Sequence, residues 1–123
     1  MNPKQRQIVT LIFRMTPNGA EMQHPAIVLS DNELIDYQDG FTAVMLTSDE
    51  KWQYDDYTFE ITNDMVVKAF SKRSFARLNL VSTFITSDII PTVYDGNEIH
   101  EEHFKRLVMH ISKLNFGVSL KQK

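Results

Sequence analysis

The chain has 123 residues, 42% of them hydrophobic and 11% aromatic, which suffices for one domain around one core but not for two. Its formal net charge of -3 means that overall attraction does not draw it to nucleic acid, so any RNA site has to be a local basic patch on a mildly acidic body. With no Cys, disulfides, thiolate catalysis and Cys-ligated zinc are excluded, a composition compatible with a reducing cytoplasm.

In chain order, Gln7 to Met15 is β-branched and aromatic and reads as a first strand ending at the turn signal Thr16-Pro17-Asn18-Gly19. Its apolar run, Ile8 to Phe13, is too short for a membrane span or a signal-peptide core, so the expectation is a soluble protein of the cytoplasm with no membrane partner. Pro25 lacks an amide hydrogen and holds His24 extended, which places it at the first position of a strand continuing through Ala26 to Leu29. Asp31 to Gly40 reads as a polar loop, Phe41 to Thr47 as a strand, and Ser48 to Asp56 as an acidic loop holding Trp52 and Tyr54. Tyr57 to Ile61 alternates with the period of a half-buried strand until Thr62-Asn63-Asp64 breaks it, and Lys72 to Val81 forms a further strand. From Phe104 the apolar residues Leu107, Val108, Ile111 and Leu114 recur at helical spacing, with Glu101 and Glu102 in the first turn, Lys113 in the last and Gly117 as a stop. A mainly β domain spanning 1–123 follows: a small antiparallel barrel over about 7–95, covered by a C-terminal helix over about 100–115.

The chemistry concentrates around the strand after Lys72. Alternation puts Phe75, Arg77 and Asn79 on one face and Ala76, Leu78 and Leu80 on the other, so the apolar set faces the core and Arg77 and Asn79 face outward. Arg77 offers a fixed fork of donors suited to a phosphate, and Asn79 can bond a ribose or a base edge. The competing role for Arg77 is an ion pair with a nearby carboxylate. Lys68, Lys72, Arg73 and Arg77, interleaved with Phe70 and Phe75, form the dense basic cluster of the chain, a combination that can track a phosphate backbone and stack unpaired bases. A solvated basic turn beside two core phenylalanines has the same composition. His100-Glu101-Glu102-His103 lacks the second His four residues after the first that a zinc helix needs, because Phe104 stands there. No glycine-rich phosphate loop, dinucleotide fingerprint or nucleophile elbow occurs, so neither a metal nor a cofactor is called for.

Three segments carry a family resemblance. Gln23-His24-Pro25-Ala26-Ile27-Val28-Leu29-Ser30 is followed by a strand closing on Thr47-Ser48, and later by the strand carrying Ser74, Phe75 and Arg77. Their order and spacing resemble the PemK/MazF family of toxin endoribonucleases, over roughly Ile8 to Leu114. The resemblance implies an SH3-like barrel with a C-terminal helix, a homodimer, a protein antitoxin as partner, and metal-independent cleavage of single-stranded RNA by its own 2'-hydroxyl. It also implies His24, Thr47, Ser48 and Arg77 as catalytic residues, with Glu21, Lys68, Lys72, Arg73, Phe75 and Asn79 on the RNA. The chain departs from the pattern at three places. His24 stands where the family has Arg before Pro, Gly19-Ala20-Glu21 lacks the histidine of the family's Gly-His-Glu, and Asn79 replaces an acid. A histidine can move a proton near neutrality, but it gives up a permanent positive charge. A barrel of this family that has lost catalysis, and binds RNA or protein instead, is therefore the alternative reading.

Overall fold

The computed structural model describes residues 2–15, 19–92 and 95–118. Five antiparallel strands form one sheet in the order β1-β2-β3-β5-β4: β1 Ile8–Met15, β2 Ala20–Val28, β3 Gly40–Thr47, β4 Thr58–Ile61 and β5 Ser74–Ile85. The expected class, mainly β with a C-terminal helix, is the observed one, but the strands do not close into a barrel. β1 and β4 remain the two edges, and single bridges such as Thr10 to Ile90 and Val66 to Ile99 tie the connecting segments across. Residues 16–18 of the expected turn lie outside the described residues.

The sheet is apolar on both faces, so it needs two covers. One face packs Ile8, Ile27, Val44, Leu46, Ala76 and Leu78 against the helix α2, Glu101–Phe116. Phe104, Leu107 and Ile111 supply the buried stripe of that helix, as its periodicity requires, and Gly117 ends it with φ 69° and an N–H donated to the Lys113 carbonyl. The other face packs Val9, Leu11, Val28, Ala43 and Phe41 under Ile35 and the curled far end of β5.

Three expectations are corrected. Asp31 to Gly40 is not all loop: Asn32–Gln38 forms the short helix α1, capped by the Asp31 carboxylate accepting from Glu33 N–H and closed by Asp39 at φ 54°. It buries only Ile35, so it leaves no periodic signature to read. Pro25 does not open its strand, which begins at Ala20 and pairs with β1 along its length. Val28 N–H points to β1, so by alternation the nitrogen of Pro25 points the other way, where pairing with β3 starts only at Ala26. The missing donor therefore costs no ladder bond. Finally, β5 bulges against β3: Leu46 pairs with Ala76 but Val44 with Val81, which inserts extra residues on the β5 side. That slip sends Leu80 to the second core, away from Ala76 and Leu78.

Candidate functional site

β2 and β3 pair only over Ala26–Val28 against Ala43–Met45 and then diverge. The gap is a cleft of about 550 Å³ with His24 and Pro25 on one side, Thr47 and Ser48 on the other, and the segment from Lys68 to Ser74 along its margin. Cross-strand pairing puts His24 on the same face as Leu11, and alternation along β3 puts Thr47 on the face of Met45, so both side chains belong to one side of the sheet.

Half-burial costs the charged imidazole its hydration and holds the pKa of His24 below its ordinary value; a hydrogen bond to the backbone of Leu46 works in the opposite sense. A bond that favours the protonated ring is one the ring donates, so one nitrogen is fixed as N–H and the other is left as an acceptor in the neutral form. Thr47 is buried, and its Oγ1 accepts from the backbone N–H of Asp49 at 3.2 Å. Its own hydroxyl proton is therefore available to another acceptor. Ser48 is exposed beside it.

The margin of the cleft is fixed by Asn97, a residue the sequence reading missed. Asn97 is buried, donates from Nδ2 to the Lys68 carbonyl at 2.8 Å and accepts on Oδ1 from Lys68 N–H at 2.8 Å and Glu98 N–H at 2.9 Å. In sequence, Asp95-Gly96-Asn97 reads only as a turn, and no local signal says that its amide clamps a segment 29 residues away. The Lys68 ammonium donates to the Asp95 carbonyl at 3.2 Å, whereas Lys72 is exposed and has no ion pair or hydrogen bond among the described residues. Arg73 is already engaged. Its Nε and Nη2 donate to the two Glu60 carboxylate oxygens at 3.1 Å each, Glu50 lies 3.5 Å away, and the guanidinium sits 5.2 Å over the Phe75 ring. These carboxylates favour its charged form, so the pKa of Arg73 lies above the usual value, chiefly through the Glu60 hydrogen bonds.

Six of the expected residues thus meet in the cleft, and four do not. Arg77 is not on an outward face: it is 5% exposed, donates to Asp55 at 3.0 Å and to Thr58 Oγ1 at 2.7 Å, and stacks 4.0 Å from the Trp52 ring centroid. The ion-pair alternative is the one the structure holds, because the Ser48–Tyr57 segment folds over that end of the sheet and covers it. Its 3-10 turn, Glu50–Trp52, is capped by Asp49. Phe75 is fully buried and cannot stack a base. Asn79 is exposed on the bulged part of β5 and does not line the cleft, and Glu21 pairs with Arg14 at 3.2 Å at the far end of β2. Among the described residues, no group of three or more His, Asp or Glu is placed to hold a metal ion, and no helix is long and apolar enough to cross a membrane.

This arrangement of sheet and terminal helix is the fold of the MazF-type endoribonuclease toxins. The structures it matches include an endoribonuclease in complex with its cognate antitoxin from a mycobacterial species, at a TM-score of 0.66 and 12% identity over 97% of this chain and 99% of that one. MazE–MazF from Deinococcus radiodurans (Form-III) matches at 0.60 and 20% identity over 95% and 98%, and MazF (Form-I) from the same organism at 0.64 and 15% over 96% and 99%. No protein-family model and no curated protein sequence matches the chain.

Proposed function

We propose that this protein is the toxin of a type II toxin–antitoxin pair and cleaves single-stranded RNA in the cytoplasm without a metal ion. The observation that carries this reading is the cleft itself, which gathers an imidazole kept neutral by burial, two hydroxyls and an ammonium with no ion pair among the described residues on a MazF-like fold. RNA suits this inventory because the substrate supplies its own nucleophile. The unprotonated nitrogen of His24 takes the proton of a ribose 2'-hydroxyl, and the 2'-oxygen attacks the adjacent phosphorus. The P–O5' bond breaks as the leaving 5'-oxygen takes a proton from water, leaving a 2',3'-cyclic phosphate and a 5'-hydroxyl fragment. Lys72 and Lys68 offset the charge gathering on the phosphate oxygens, and Thr47 and Ser48 donate to them. Arg77 has no place on the phosphate; it acts by pinning the loop that follows Ser48. The antitoxin complexes of the structural neighbours support a protein antitoxin as partner, and a homodimer would lengthen the RNA surface beyond one short cleft.

Incubating the pure protein with mixed RNA in EDTA tests the proposal. Fragments are expected, with turnover rising as pH climbs through a value below about 6.5, the ordinary histidine pKa. His24→Ala should lower turnover roughly a hundredfold while leaving RNA affinity nearly intact. A specific observation favours the second reading, a binding module without catalysis: His24 removes the permanent charge that the family's Arg supplies, and Arg77 does not replace it. If wild type, His24→Ala and His24→Arg are equally inert on every RNA yet bind it, the binding module replaces the nuclease.

A further inference from the structure

The segment from Phe70 to Arg73 is a ridge with a concavity on each side. One side is the cleft of His24 and Thr47; the other is a hollow of about 330 Å³ floored by Glu60, Ile61, Thr62 and Asn63, and Phe70, Ser71, Lys72 and Arg73 line both. We propose that this second hollow is a subsite for one unpaired nucleotide of the RNA strand, flanking the bond that is cut. The inference rests on the RNA-cleaving reading of the cleft.

Size, charge and hydrogen-bonding capacity agree on that occupant. At about 330 Å³, near the lower end of ligand sites, the hollow has room for a base and not for a folded helix. Lys72, unpaired among the described residues, stands on the shared ridge, where its ammonium can hold the phosphate that joins a nucleotide in the cleft to one in the hollow. Phe70 is partly buried against the first core and lines both concavities, which sets an apolar residue at the ridge. The polar floor has direction. Asn63 Oδ1 accepts from Phe70 N–H at 3.0 Å, so its Nδ2 is turned away from that bond as a donor with no partner among the described residues. Glu60 holds Arg73 with both oxygens and keeps further lone pairs, so it can only accept. A donor beside an acceptor suits a base that carries an exocyclic amino group next to a ring acceptor, adenine or cytosine, over uracil, whose carbonyl would face a carboxylate.

Asn63→Asp is the informative change, because it keeps the oxygen that anchors Phe70 and replaces the donor with a second acceptor. Fluorescence anisotropy would compare dinucleotides with trinucleotides extended by A, C or U, using uncleavable 2'-O-methyl RNA. The expected result is a tighter complex on extension with A or C, by roughly tenfold over U, a gain that Asn63→Asp abolishes without changing dinucleotide binding. Circular dichroism melting of the variant would check that its fold is intact. If extension adds nothing, or adds the same for every base in wild type and variant, the subsite is refuted while RNA binding in the cleft stands. If no RNA binds at any length, the proposed function and the subsite fall together.

Discussion

Arg77 carries the strongest quantitative consequence of the structure. Its side chain is 6% exposed while that of its partner Asp55 is 33% exposed, so the two ends of the pair differ in what they lose when separated. Truncation in Arg77→Ala removes a charged donor from Asp55 and Thr58, worth about 1.5–3 kcal/mol for such hydrogen bonds, and a desolvated guanidinium from the Trp52 ring, worth up to about 2 kcal/mol. Against this, the variant no longer has to keep a cation out of water, and the freed carboxylate regains solvent. The cost should therefore stay below the roughly 3–5 kcal/mol of a fully buried pair broken on one side, at about 2–3 kcal/mol. Arg77 Nε is buried without a hydrogen-bond partner among the described residues, a further reason for the low end of that range. Urea unfolding gives the magnitude. Trp52 is the only tryptophan in the sequence and stacks directly on Arg77, so its emission should shift to the red in the folded variant as the ring gains water. Arg77→Lys should recover only part of the loss, because an ammonium cannot serve Asp55, Thr58 and the ring in one plane. A loss under about 0.5 kcal/mol with unchanged emission would refute the description of Arg77 as the pin of this loop.

Cleft cations should differ in their effect on RNA binding. Lys72→Ala should reduce the slope of log affinity against log salt by about 0.7, the value for one phosphate contact on a single strand, whereas Arg73→Ala should change it much less because Glu60 already neutralises that guanidinium. Equal slopes for the two variants would contradict the pairing. Stability should also fall with acid in two windows. For His24 the folded pKa is lowered, so its contribution is complete above about 6.5 and is lost as pH falls through the lowered folded value; urea midpoints should drop from pH 7.5 to 5.5, and less so in His24→Gln. Asp55 is held below the ordinary carboxylate value, first by the Tyr57 N–H and then by Arg77, so its contribution is present above about 4 and is lost below it; Arg77→Ala should flatten that limb. Sedimentation that shows only a 14.3 kDa species at micromolar concentration would contradict the proposed homodimer.

What the sequence determined by itself is whatever follows from local periodicity and local chemistry. α2 was legible to within a residue or two because its stripe, its charged ends and Gly117 all report on the same helix. β1, β3 and β4 were legible because each alternates or runs apolar between polar turns, whereas placing His24 with Thr47 and Ser48 came from the family resemblance and not from local pattern. What tertiary structure decided is everything that depends on a partner distant in sequence. α1 buries one side chain, so only its caps mark it, and they look like ordinary loop residues. The β5 bulge lies where pairing with β3 steps from Ala76 to Val81, while β4 pairs Ser74 to Arg77 along the other edge, and a rule of strict alternation cannot contain it. Arg77 illustrates the difference most directly: its own strand gives it a face, but whether that face meets RNA or a protein cover depends on where the loop holding Trp52 and Asp55 folds. Asn97 is the converse case, a plain turn residue in sequence that shapes the cleft because its amide finds Lys68 across the fold. Local spacing fixes which residues share an element; burial and hydrogen bonding between elements fix which of them reach the site.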